Sequence, residues 1–136
     1  MKKVFLFCLV ASIMLVSCAK KVNNETTNVA SIGAGMYSFQ KTSADDPKGE
    51  VMIDLEMKAD GTAQMVYGAY QTMNTYNCKL VSKDDKTSDL VLESLGQCLV
   101  EPSDKKGDII ATVTKISDDK IELLWGTEKS VLEKAK

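Results

Sequence analysis

Histidine and arginine are both missing from this 136-residue chain, and all 17 basic residues are lysines. Without histidine there is no Ser-His-Asp or Cys-His catalysis and no His-ligated zinc or copper site. Without arginine the planar fork that grips phosphate or carboxylate in a bidentate way is absent. Proline occurs twice and tryptophan once, and aromatic residues make up 6% of the sequence. The net charge is −2, which leaves no electrostatic footprint for nucleic acid and none is expected as a partner. No stretch reaches the roughly 20 apolar residues that a membrane-crossing helix needs.

What is present begins with two lysines, Lys2 and Lys3, followed by an apolar run from Val4 to Val16 and the small residue Ser17. A positive end, a short apolar middle and a small-residue site are the three parts of a secretory signal peptide. The four residues Leu15-Val16-Ser17-Cys18 resemble the lipobox of bacterial lipoproteins. That resemblance implies cleavage before Cys18, a diacylglyceryl thioether on its sulfur and a further acyl chain such as palmitate on the freed amine. A thiolate is the side-chain nucleophile suited to this at near-neutral pH. Burial at about 0.8 kcal/mol per methylene makes two or more chains a durable anchor. Ala19 after the cysteine, where aspartate is absent, resembles lipoproteins passed on to an outer membrane. The expected division is therefore a signal peptide over 1–17, a lipidated flexible tether over 18–34 and a folded domain over 35–136. The sixteen residues 19–34, stretched, reach about 50 Å. Loss of two lysines with the leader makes the mature chain more acidic, at −4, which suits a basic partner.

The four cysteines then sort themselves. Cys8 leaves with the leader and Cys18 takes lipid, so Cys78 and Cys98 remain. In the oxidising space outside the inner membrane they are expected to pair, and the loop they close would stabilise the fold by about 3 kcal/mol. Their spacing matches no redox or metal motif such as C-x-x-C.

The domain reads as strands. Gly35–Gln40 is a short first one. Val51, Ile53, Leu55 and Met57 then alternate with Met52, Asp54, Glu56 and Lys58, the period-two pattern of a half-buried strand. A partner strand over 62–71 follows Ala59-Asp60-Gly61. A three-residue loop with Gly61 in the left-handed conformation pairs Leu55 with Met65 and Ile53 with Tyr67, and places Ala63, Met65, Tyr67 and Ala69 on one apolar face. Further strands are expected at 76–82, at 88–95 and 97–100 separated by Gly96, at 108–116, at 120–125 and at 128–133. The hairpin at Ser117-Asp118-Asp119 is expected to set Ile116 opposite Ile121 and Thr114 opposite Leu123. About eight short strands with tight turns and no long helix predict an all-β antiparallel meander, closed or nearly closed into a barrel that leaves no long edge.

Few residues single themselves out for chemistry. The doublets Asp45-Asp46, Asp84-Asp85 and Asp118-Asp119 lack a calcium-loop spacing and sit where hairpins must turn, so turn roles are expected. Met36, Met52, Met57, Met65 and Met73 carry soft sulfur suited to Cu(I), but Met57 and Met65 fall on an apolar face where methionine fills gaps. No metal or cofactor is expected. Tyr67, Tyr70, Tyr76 and Trp125 are the candidates to line a barrel mouth and contact a ligand. No carboxylate pair is placed for acid–base work, and the chain is not expected to be an enzyme.

Gly35-Met36-Tyr37 followed by Leu55-Glu-Met-Lys-Ala-Asp-Gly-Thr62 is similar to the opening of small lipocalin-like envelope lipoprotein domains, the NlpE-type copper-resistance and stress proteins and the META-type domains. The likeness covers about thirty residues and implies a barrel that binds rather than catalyses. The Cys-x-x-Cys of the NlpE type is absent, so its redox signalling is not implied. Tyr76-Asn-Cys78 and Trp125-Gly126 also resemble the membrane-bound lysozyme inhibitors, small barrel lipoproteins with one disulfide, although their Ser-Gly-containing inhibitory loop has no counterpart here. The expectation is a lipid-anchored envelope protein that binds a protein or a small apolar ligand. A lysozyme-inhibitor-like protein and a surface antigen or host-binding adhesin are the alternatives.

Overall fold

The computed structural model describes residues 32–41, 50–69 and 72–136. The signal peptide, Cys18, most of the tether, Asp45-Asp46 and Tyr70 lie outside these residues. Eight antiparallel strands run in chain order around a closed barrel: β1 Gly35–Lys41, β2 Val51–Met57, β3 Thr62–Ala69, β4 Thr72–Ser82, β5 Thr87–Cys98, β6 Ile109–Lys115, β7 Lys120–Trp125 and β8 Glu128–Lys134. The circle closes where Tyr37 and Ser38 of β1 pair with Lys134 and Glu133 of β8. Closure leaves no edge strand to recruit another chain.

The period-two pattern does what the sequence predicts in β2 and β3. Leu55 pairs with Met65 and Ile53 with Tyr67. Gly61 takes a φ of 85° in the three-residue loop, a conformation that costs a residue with a Cβ and not glycine. Ile53, Leu55, Met57, Ala63 and Met65 are all buried inside the barrel. Met57 and Met65 are thus core fillers, whereas Met36 and Met73 are exposed. Leu80, Leu90, Leu92, Val113, Ile121, Leu123 and Leu132 complete the interior from the other strands. Each large side chain fully buried in this way contributes about 1.5–3 kcal/mol.

Three expectations are corrected. Gly96 does not end a strand. β5 runs through it, and a bulge places Gly96 and Gln97 opposite the single residue Thr75, between the pairs Asn74–Cys98 and Tyr76–Leu95. The β6–β7 hairpin is shifted by one residue from expectation. Lys115 pairs with Ile121 and Val113 with Leu123, with Ile116 and Lys120 flanking a three-residue loop. This register puts Val113, which is fully buried, on the inner face and leaves Ile116 54% exposed at the turn. The expected register would have turned Val113 outward and Thr114 inward, because a one-residue slip exchanges the two faces of a strand.

The third correction concerns the disulfide. Cys78 and Cys98 are free thiols. Cys78 stands opposite Leu92, while Cys98 stands opposite Asn74, four positions away along β4. At roughly 3.3 Å per residue that is a separation of about 13 Å, and a disulfide needs Cα atoms within about 7 Å. Cys78 packs inside the barrel, and the Cys98 sulfur lies 4.0 Å from the Thr75 carbonyl oxygen.

Candidate functional site at the barrel mouth

The two ends of the barrel are unlike. At one end lie the tight turns 58–61, 83–86 and 116–119, and here the segment before β1 folds in. Ile32 is 1% exposed and belongs to the core. Tyr37, equally buried, donates its hydroxyl hydrogen to the Gly33 carbonyl oxygen at 2.9 Å. The Lys134 ammonium sits 5.7 Å from the Tyr37 ring centroid, within cation–π range. Burial raises the Tyr37 phenol above its ordinary pKa, partly offset by the nearby Lys115 charge. This end is filled.

The aspartates here hold turns. Asp84 Oδ1 accepts hydrogen bonds from the backbone amides of Lys86 and Thr87 at 2.9 and 2.8 Å. Asp119 Oδ1 accepts from Ser117 Oγ at 2.6 Å, and Asp118 pairs with Lys115 at 2.8 Å. Among the described residues no group of three or more Cys, Asp or Glu side chains gathers as metal ligands would.

At the opposite end the described residues leave a concavity. A cavity of about 370 Å³ enters between the β2–β3 and β7–β8 hairpins, lined by Val51, Ile53, Tyr67, Leu123, Trp125, Gly126, Thr127, Glu128 and Ser130. Its geometry follows from the registers. Leu123 pairs with Ser130 and Trp125 with Glu128, so all four share the inner face of the β7–β8 hairpin. Gly126 and Thr127 form its two-residue loop. Such loops require a positive φ at their first position, and Gly126 has 61°.

Three of the four aromatic candidates come together here. The Tyr67 and Trp125 rings meet in a T-shaped contact, centroids 4.4 Å apart at 73°. Tyr76 meets Trp125 likewise at 5.5 Å and 85°. Tyr67 and Trp125 line the cavity, and Tyr76 lies buried behind Trp125 as its support. Desolvation pushes the Tyr76 phenol up in pKa, while a hydrogen bond with the Asn74 side chain pulls the other way. Asn74, across from Tyr67 in the β3–β4 ladder, has a buried Oδ1 with no hydrogen-bond partner among the described residues.

Sequence reasoning missed the polar part of the lining. Glu128 and Ser130 alternate with Lys129 and Val131 and share a face with the buried Leu132. That alternation was available as a signal, but polar residues on both faces near the chain end leave no apolar face to mark which side turns inward.

In comparisons with known proteins no family model matches this chain, and neither a curated protein nor a solved structure shows detectable similarity to it.

Proposed function

We propose that this is a lipid-anchored lipoprotein of the cell envelope whose barrel is a non-catalytic binding domain, with the open mouth as its ligand site. The anchor reading rests on Lys2-Lys3, the apolar run and Leu15-Val16-Ser17-Cys18, and its outer-membrane placement on Ala19 after the lipidated cysteine. The binding reading rests on one observation above all. Among the described residues the barrel is packed at one end and has a cavity at the other, walled by Tyr67 and Trp125 over an apolar floor of Val51, Ile53 and Leu123. Concave, mostly apolar sites with a few convergent polar groups are where small molecules bind. The volume lies at the lower end of the roughly 300–1,000 Å³ usual for such sites, which suits a ligand of modest size.

The lysozyme-inhibitor alternative loses one support, since the single disulfide on which that likeness partly drew is not formed. Two measurements test the preferred reading. In a lipidating host, Cys18→Ser should leave the chain unprocessed or release it from membranes. Unchanged trimming and attachment would refute the anchor. Because Trp125 is the sole tryptophan, a small apolar probe such as 1-hexanol should shift its emission in a saturable way. A purely linear response up to the solubility limit would refute an apolar mouth site.

A further inference from the structure

We infer that the mouth is selective for organic cations: a substituted ammonium group carried on a short apolar arm. This rests on the mouth being a ligand site and goes beyond it by assigning the ligand's charge and shape.

The shape argument comes from the two rings. Tyr67 and Trp125 stand at 73° to each other, so they form a corner and not the parallel-walled slot that a flat ring would slide into. A rounded alkylammonium head fills a corner, and the electron-rich faces of tyrosine and tryptophan attract a cation within about 6 Å. Tyr76 braces Trp125 from inside the barrel and fixes the wall before any ligand arrives.

The charge argument comes from Glu128. It is directly opposite Trp125 in the β7–β8 ladder and contributes to the cavity lining. Its neighbour Lys129 points to the other face and pairs with Glu122 at 3.2 Å. Among the described residues Glu128 makes no ion pair of its own, although most lysines of the β4–β8 surface are paired with other acids. Among the described residues Lys41 is the cation on the same inner face at this end, across from Val51, and it is engaged in an interaction of its own. The carboxylate beside the aromatic corner therefore sets the sign of the site. Below it, Val51, Ile53 and Leu123 provide the apolar floor for an arm, and Ser130 offers a hydroxyl partway down. The closed end is filled by Ile32, which limits how long the arm can be.

Three six-carbon probes separate this inference from the reading beneath it: hexyltrimethylammonium, 1-hexanol and hexanesulfonate. Each is titrated against the full chain in phospholipid nanodiscs, with Trp125 emission and heat of binding as readouts and empty discs as the blank. The cation should bind at least ten-fold more tightly than the alcohol and the sulfonate weakest of all. Glu128→Gln should reduce the cation's advantage over hexanol, read as the ratio of the two affinities, at least five-fold, and added salt should narrow the gap in the parent chain only. Equal affinities, a preference for the sulfonate, or a Glu128→Gln chain that keeps the full preference would overturn the cation assignment and leave apolar binding intact. No saturable response to any of the three would overturn both.

Discussion

Cys78 shows what a side chain gains by facing inward. Burial pushes its thiol pKa from 9.0 to about 12, with the charge of Glu93 adding to the effect. A thiol held protonated is a poor nucleophile. Cys98, at the end of β5, is only half-buried and within reach of a small reagent. In native protein, iodoacetamide at pH 8 should label Cys98 and spare Cys78, with Cys78 reacting only once denaturant unfolds the barrel. Equal labelling of both, read by peptide mass, would contradict the buried placement. The same shift has a sign in stability. An unfolded Cys78 ionises from about pH 9 upward while the folded one keeps its proton to about 12, so stability falls as pH rises across that interval. The sequence showed two thiols of one loop but not their distance, because pairing depends on strand register and a bulge, neither of which is written in cysteine spacing.

At the scale of elements, legibility followed the strength of alternation. β2 and β3 carry strict alternation around an Asp-Gly loop, and their register was readable in advance. The β6–β7 hairpin was not. Its loop lacks glycine, and Ile116 suggests itself for the core on hydrophobicity alone although Val113 takes that place. β5 was misread for a different reason. Glycine within an apolar run signals either a break or a close approach of another backbone, and only the neighbouring strand decides. Here a Cβ at position 96 would lie 2.9 Å from Thr75 Cγ2 and 3.0 Å from its Cβ. Gly96→Ala should therefore destabilise the barrel by about 1–3 kcal/mol, the range for overpacking. Adding Thr75→Ser, which removes the nearer of the two atoms, should restore part of the loss. Urea midpoints of the two variants decide it. If the double variant is no more stable than the single one, the close approach is not the cause.

Four turn carboxylates with lowered pKa values lie at the filled end. Asp60 is held below its ordinary pKa chiefly by hydrogen bonds from Thr62, Asp84 by the Lys86 and Thr87 amides, Asp118 by Lys115, and Asp119 by Ser117. Groups with lowered folded pKa values contribute stability above their unfolded pKa and lose it as pH falls through the folded one. Melting temperature should thus hold from pH 7 to about 5 and decline progressively below about pH 4. Asp84→Asn should lower the plateau and flatten the decline. A flat acid profile in the parent chain would show these hydrogen bonds to be inconsequential. The closed barrel itself was foreseeable from eight short strands with tight turns. The unequal ends were not, since what fills a barrel depends on which distant inner-face side chains reach one layer together.

Both described ends of the chain meet at that filled end. Ile32 tucks in beneath β1, and the Ala135 amide donates to the Met36 carbonyl oxygen at 2.8 Å, so the residues after β8 lie beside the start of β1. A fluorescent reporter or affinity handle fused after Lys136 would accordingly project from the face remote from the aromatic pocket. The same proximity favours a circular permutant in which a short linker joins Lys136 to Ile32 and new termini open within the 116–119 turn, leaving the aromatic pocket at the far end undisturbed.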